Sequence, residues 1–157
     1  MKEIKLTQNK VAIVDDEDYE RLNQFKWDSC LSRNTCYAGR GIKIDSKNNK
    51  IYMHREIMNP PNGTQIDHRN GNGLDNRKSN MRACTSQQNG FNTKRAQKNN
   101  SLGIKGVSLV KKINKFEARI MFNSKIIRLG YFNVMGDADS AYRIAEEKYF
   151  GEFARNI

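Results

Sequence analysis

The sequence predicts an α+β fold: a small mixed N-terminal unit, a turn-rich middle segment, and a three-stranded antiparallel sheet packed on one helix. Three observations lead there. Short strand-like apolar runs alternate with one helical pattern in the first third of the 157 residues. Ten asparagines crowd into residues 59–100, together with Pro60-Pro61, Asn62-Gly63, Asn70-Gly71 and Asn72-Gly73, so no long helix or strand can run through them. The last third shows three strand patterns followed by one helical pattern.

Within residues 1–53, Val11-Ala12-Ile13-Val14 is a short buried strand. The acidic run Asp15-Asp16-Glu17-Asp18 suits a helix start, where carboxylates meet the positive end of the helix dipole. Tyr19, Leu22, Phe25 and Lys26 follow at helical spacing, and Trp27 anchors the core of this unit. Residues 36–44 and 51–53 read as strands separated by the turn Asp45-Ser46-Lys47-Asn48-Asn49. No catalytic constellation is visible in this unit, and the acidic run reads as a helix N-terminus rather than a metal site.

The polar run Gln97-Lys98-Asn99-Asn100-Ser101 marks a linker over 97–102, after the middle unit 54–96 and before the last unit 103–157. In that last unit, residues 105–109 are the first strand. Residues 116–122 are the second, with Phe116, Ala118, Ile120 and Phe122 on one face and Glu117, Arg119 and Met121 on the other. Residues 126–129 form the third strand, joined through Asn123-Ser124. The helix covers 137–149, with Ala138, Ala141, Tyr142, Ala145 and Tyr149 as its apolar stripe.

Charge narrows the partner. The chain carries 28 Lys and Arg against 17 Asp and Glu, a net of +11, with a pI near 9.7. Residues 1–53 hold a net of only +2, against +5 over 54–100 and +4 over 101–157. An acidic polymer is the expected partner, nucleic acid before a membrane surface. The opening Met-Lys-Glu-Ile-Lys has no apolar run behind it, and no stretch reaches transmembrane length. Cys30, Cys36 and Cys84 are odd in number and lack C-x-x-C spacing, so they read as reduced thiols of a cytoplasmic protein rather than as zinc ligands.

The chemistry-bearing stretch runs from Gln65-Ile66-Asp67-His68 through the Asn-Gly run to Asn80 and on to Gln88-Asn89. Phosphodiester hydrolysis needs a base to activate water, a cation to neutralise developing charge, and a group to hold the base. His68 has an intrinsic pKa suited to a base near neutrality, and Asp67 is a hard oxygen ligand of the kind magnesium prefers. Asn80 and Asn89 can supply amide oxygens, one to orient an imidazole N–H and one to a metal. Adjacent strand residues point to opposite faces, so Asp67 and His68 can share a site only where the strand ends or bends, as the following glycines allow.

Asp-His, then Asn twelve residues on, then Asn nine further, resembles the HNH endonuclease family, and within it the phage and homing types whose third motif position is Asn. The resemblance implies a ββα-metal core: strands over 66–68 and 81–84, then a short helix capped by Thr85 and carrying Asn89. It implies Asp67 and Asn89 as metal ligands, His68 as general base and Asn80 as its orienter, with a divalent cation, magnesium or alternatively manganese, as cofactor. It also sets the protein in a bacterial or phage-infected cell. His54 recurs in relatives ahead of the motif and is read as a helix-entry histidine.

Gly106-Val107, Phe116 to Ile120, Leu129-Gly130-Tyr131-Phe132, Ala138 to Tyr142, Phe150-Gly151 and Asn156 resemble the DNA-binding domain of plant ethylene-response factors, the APETALA-two type. That resemblance implies a three-stranded sheet in the major groove of duplex DNA with the helix behind it. The charge distribution agrees independently. Residues 101–128 carry seven basic side chains and one acid, while 129–157 carry three and five. Lys105, Arg119, Lys125 and Arg128 are the expected DNA contacts. The plant family also uses sheet tryptophans, where this chain has Ser108, Val110 and Arg128 at or near those positions, so the plant target sequence does not carry over.

The expected function is therefore a metal-dependent DNA endonuclease, monomeric and nicking one strand, directed by its C-terminal sheet. The alternative is a non-catalytic, sequence-specific DNA-binding regulator, against which the intact Asp67, His68, Asn80 and Asn89 stand. An RNA-binding protein would need exposed aromatics for base stacking, and Glu117, Arg119 and Met121 offer none.

Overall fold

Ten strands and four α-helices are arranged in a computed structural model that describes residues 1–32, 35–92 and 100–154. The linker expected at 97–102 falls partly outside the described residues, and Asn156 wholly so. The chain divides into two compact units, Met1–Asn89 and Gly90–Ile157. Among the described residues no helix is long and apolar enough to cross a membrane. The mixed α+β class expected from the sequence is the class observed.

In the first unit, β1 (Lys2–Lys5) and β2 (Val11–Val14) form an antiparallel hairpin. Helix α1 (Asp16–Leu22) begins on the acidic run, as expected. Strands β3 (Asp28–Ser32), β4 (Thr35–Ile44) and β5 (Lys47–Tyr52) make an antiparallel sheet in that order. The expected turn through Asn49 is shorter than the sequence suggested. Asp45 and Ser46 both adopt positive φ, and Ile44 pairs directly with Lys47. Such a two-residue turn matches the twist of its flanking strands, so β5 starts at Lys47, four residues before the expected strand at Ile51. Helix α2 (Met53–Met58) follows. Ile4, Leu6, Ala12, Val14, Leu22, Trp27, Ala38 and Met53 close the core. Trp27 is central, and its indole N–H donates to the Leu22 carbonyl at 2.8 Å.

Asp67 and His68 sit on a further antiparallel strand pair of this unit. Strand β6 (Gln65–His68) pairs antiparallel with β7 (Met81–Cys84), in the register Asp67 opposite Arg82 and His68 opposite Met81. Helix α3 (Ser86–Phe91) follows. Thr85 and Gln88 cap its start reciprocally. The Thr85 hydroxyl accepts from the Gln88 N–H at 3.2 Å, and the Gln88 side chain accepts from the Thr85 N–H at 2.8 Å.

In the second unit, β8 (Val107–Val110), β9 (Lys115–Phe122) and β10 (Lys125–Phe132) form an antiparallel sheet with β9 central. Helix α4 (Met135–Phe150) packs on it through Ala138, Tyr142 and Ala145, which join Val107, Ala118, Ile120 and Phe150 in one core. Gly106 fixes this fit. It sits at φ +74, and a Cβ there would lie 2.0 Å from the Tyr142 ring. Asn123 and Ser124 make another positive-φ turn, so β10 begins at Lys125 and outruns the short strand expected from the apolar residues.

Candidate active site

The Asn-Gly stretch after His68 is not a slack loop. Asn70, Asn72, Asp75, Asn76 and Asn80 tie it to itself. Asn70 Nδ2 donates to Asp75 Oδ2 at 2.9 Å, and the Asn70 and Asn72 side-chain oxygens accept from N–H groups two residues on, at 2.8 and 3.1 Å. These are local turns that short amide side chains favour. The loop is also docked on β2: the Ile13 N–H donates to the Leu74 carbonyl at 2.8 Å, and the Asn76 N–H to the Ile13 carbonyl at 2.7 Å. The Arg77 guanidinium and the Asn70 amide hold the Asp75 carboxyl below the usual carboxylate range, with the Arg77 hydrogen bond the largest cause. Gly73 passes so close to β4 that a Cβ would meet the Cys36 carbonyl at 2.5 Å and the Tyr37 ring at 2.6 Å. The N-terminal hairpin and sheet thus shape the motif's loop.

His68 is buried at the end of β6. Its Nε2 lies 3.3 Å from Asn76 Oδ1. The Asn76 amide nitrogen donates to the Leu74 carbonyl at 3.3 Å, which turns the oxygen toward the ring. In the tautomer with its proton on Nε2, the imidazole donates to this oxygen. Aromatic rings surround the imidazole: Tyr37 at 5.8 Å between centroids, and His54 edge-on at 5.4 Å. Burial, foremost, holds the His68 pKa below 6.5, against opposing contributions from Asn76, Asp67 and Asp75. His54 is lowered further, to about 3, by burial and then by His68 and Arg55. It stacks on Tyr52 at 5.5 Å.

Asp67 and His68, adjacent in sequence, emerge on opposite sides of the ribbon's end, as strand periodicity requires. Asp67 is buried, and its Oδ2 accepts from Arg82 Nε at 2.8 Å and Nη2 at 2.6 Å. Asn80, expected to orient the imidazole, places its amide elsewhere: Nδ2 donates to the Asp75 carbonyl at 2.8 Å, and Oδ1 accepts from the Asn70 N–H at 3.1 Å. Asn89 sits on α3, where its Nδ2 donates to Gln65 Oε1 at 2.8 Å. Gln65 lies two residues before Asp67 and shares its face of β6.

Asn76, Arg82 and Gln65 are the site residues that sequence reasoning missed. Asn76 was one amide among ten in its segment, and the other two reveal themselves through strand register. Among the described residues no three His, Cys, Asp or Glu side chains gather into a metal-holding group. The candidate donor set is therefore the carboxylate of Asp67 with the amide of Asn89, which is bonded to Gln65 two residues before Asp67.

Of the four expected DNA contacts, Arg119 and Arg128 stand directly opposite each other on the face of the second unit's sheet away from α4. Lys125 is exposed at the hairpin end, opposite Phe122. Lys105 is turned inward, and its ammonium donates to the Phe91 carbonyl at 2.8 Å and to Glu146 at 2.7 Å.

Residues 56–91 match the family model described as HNH endonuclease. Over 150 aligned residues the chain is 28% identical to an uncharacterized HNH endonuclease of Acanthamoeba polyphaga mimivirus, an alignment covering 91% of this chain and 72% of that protein. No solved structure matches the chain significantly.

Proposed function

We propose that the protein is a divalent-metal-dependent DNA endonuclease that hydrolyses phosphodiester bonds, nicks one strand per encounter and is held on its target by the sheet of the second unit. The family match and the viral relative support a nuclease acting on DNA. The observation that carries the reading is the buried His68 imidazole, held at Nε2 by the Asn76 side chain, at the strand end that also carries the buried Asp67 carboxylate.

Each residue then has a task. With its pKa lowered chiefly by burial, His68 takes a proton from the attacking water. Asn76 holds the ring directly, and Asn80 acts through the loop it closes. Asp67 and Asn89 are the residues that would hold the metal. Both present oxygen, and Gln65 ties Asn89 to the Asp67 face of β6. Such a hard donor set suits magnesium, with manganese as the alternative. When bound, the metal would neutralise charge on the phosphate and stabilise the leaving oxygen. Arg82 fixes the Asp67 carboxylate from the neighbouring strand. In the second unit, the sheet face bearing Arg119 and Arg128 supplies phosphate and base contacts in the major groove.

Incubating supercoiled plasmid with the protein, with and without magnesium, tests this reading. Magnesium-dependent relaxation to open circles is expected. Salt-sensitive binding with no cleavage under any divalent cation would replace it with the non-catalytic regulator.

A further inference from the structure

The outward face of the second unit's sheet is built against its own stability. Arg119 and Arg128 are cross-strand partners, and like charges directly opposite destabilise a sheet. Beside them Met121 and Ile126, also cross-strand partners, are 57% and 62% exposed. A partner that is anionic at its rim and carries methyl groups within its groove satisfies both pairs. Duplex DNA has that chemistry, in its phosphates and in the thymine methyls of the major groove.

One residue on this face departs from the pattern. Glu117 lies on the same outward register as Arg119 and Met121 yet is only 8% exposed. Arg128 covers it, with Nε 2.6 Å from Glu117 Oε1. Arg119 has no carboxylate in ion-pair range among the described residues. A β-bulge between Arg128 and Gly130 makes the diagonal pairing possible. Arg128 and Tyr131 are three residues apart and would otherwise face opposite ways. The extra residue returns both to one face, with Tyr131 opposite Glu117 and the Arg128 guanidinium 5.5 Å from the Tyr131 ring. Held through Nε by a carboxylate and flanked by an aromatic ring, the guanidinium has its two terminal nitrogens directed away from its anchor. That is the edge an arginine uses to donate twice to O6 and N7 of guanine.

We propose that Glu117 is a positioning residue that aims Arg128 at one guanine in the major groove, while Arg119, which it does not hold, contacts phosphate. This rests on the reading of the second unit as DNA-binding. It adds a division of labour between the two arginines that charge alone does not give.

The test uses the full chain and a pool of short duplexes of randomised sequence, selected by binding and then sequenced. Wild type should select guanine at one position. Glu117→Gln should lower that preference by about tenfold, within the range of one bidentate base contact. Its affinity for bulk competitor DNA should be unchanged or tighter, because a negative charge leaves the face. Arg128→Lys keeps the charge and loses the fork, so it should lose the same preference and keep the salt dependence. It serves equally if Glu117→Gln fails to fold. Arg119→Ala should weaken all sequences alike. Full guanine preference in folded Glu117→Gln, with only a lower melting temperature, would make Glu117 a structural residue and overturn the proposal. Binding that ignores sequence and is indifferent to both arginines would overturn the DNA-binding reading along with it.

Discussion

Asn76 Oδ1 faces Nε2 of His68 at 3.3 Å, and the same amide donates to the Leu74 carbonyl. The buried imidazole is thus held by a residue in the middle of the Asn-Gly run. Asn76→Ala should lower the plasmid-cleavage rate by about 10–100-fold, the range seen when a group that orients a functional ligand is removed. DNA affinity should be little changed, because Asn76 is buried. Gel-shift binding and cleavage rates measured on one preparation separate the two effects.

Arg82 and Asp67 are both buried and paired across the ribbon. Arg82→Met should therefore destabilise the first unit by about 3–5 kcal/mol, the cost of leaving a buried carboxylate without its cation. The sole tryptophan of the chain, Trp27, lies in that unit's core and reports its unfolding by fluorescence in urea. A loss below about 1 kcal/mol would mean that the pair is open to water, as in surface ion pairs.

Acid should unfold the first unit through its histidines. In the unfolded chain both rings take a proton near pH 6.5. Folded, burial lowers both, His54 to about 3. The stability they contribute is complete above pH 6.5 and is lost as the pH falls from 6.5 toward 3. Each ring that protonates only on unfolding adds up to ~1.4 kcal/mol per pH unit to that slope. His54→Gln should flatten the slope measured by Trp27 fluorescence between pH 6.5 and 4. An unchanged slope would show that His54 does not titrate on unfolding.

Much of this site is legible in the sequence, because the motif's spacing is a property of the chain itself. Asp67 and His68 lie on the strand, and Asn89 on the helix, that the resemblance to the HNH endonucleases implies. Asn76 was hidden because composition cannot distinguish one amide among many neighbours, and only the loop's hydrogen bonds do so. Arg82 became visible through the β6–β7 register, which no local pattern encodes. Lys105 counted as a surface charge by composition, yet it is directed inward to Glu146, which lies 41 residues further along. Glu117 was read as outward, which it is, but its burial by Arg128 depends on a bulge that alternation cannot foresee. Strand bounds beside the turns at Asp45-Ser46 and Asn123-Ser124 were blurred for a simpler reason: each turn uses just two positive-φ residues, so polar strand residues such as Lys47, Asn48 and Lys125 resembled loop.

The product should be a nick. The chain carries a single Asp-His motif, and a single base with a single metal serves one strand per encounter. Supercoiled plasmid should pass to open circles before any linear form accumulates, at concentrations where sedimentation gives a monomer. Linear product appearing as fast as open circles under those conditions would instead require two active sites to act together.

The most direct measurement compares His68→Ala with wild type on supercoiled plasmid in magnesium, with DNA binding measured in parallel. The expected result is a cleavage rate lower by about 10²–10⁴-fold, the usual contribution of a general base, with binding within experimental error of wild type. Cleavage at the wild-type rate by a folded His68→Ala protein would contradict the assignment of this imidazole as the base.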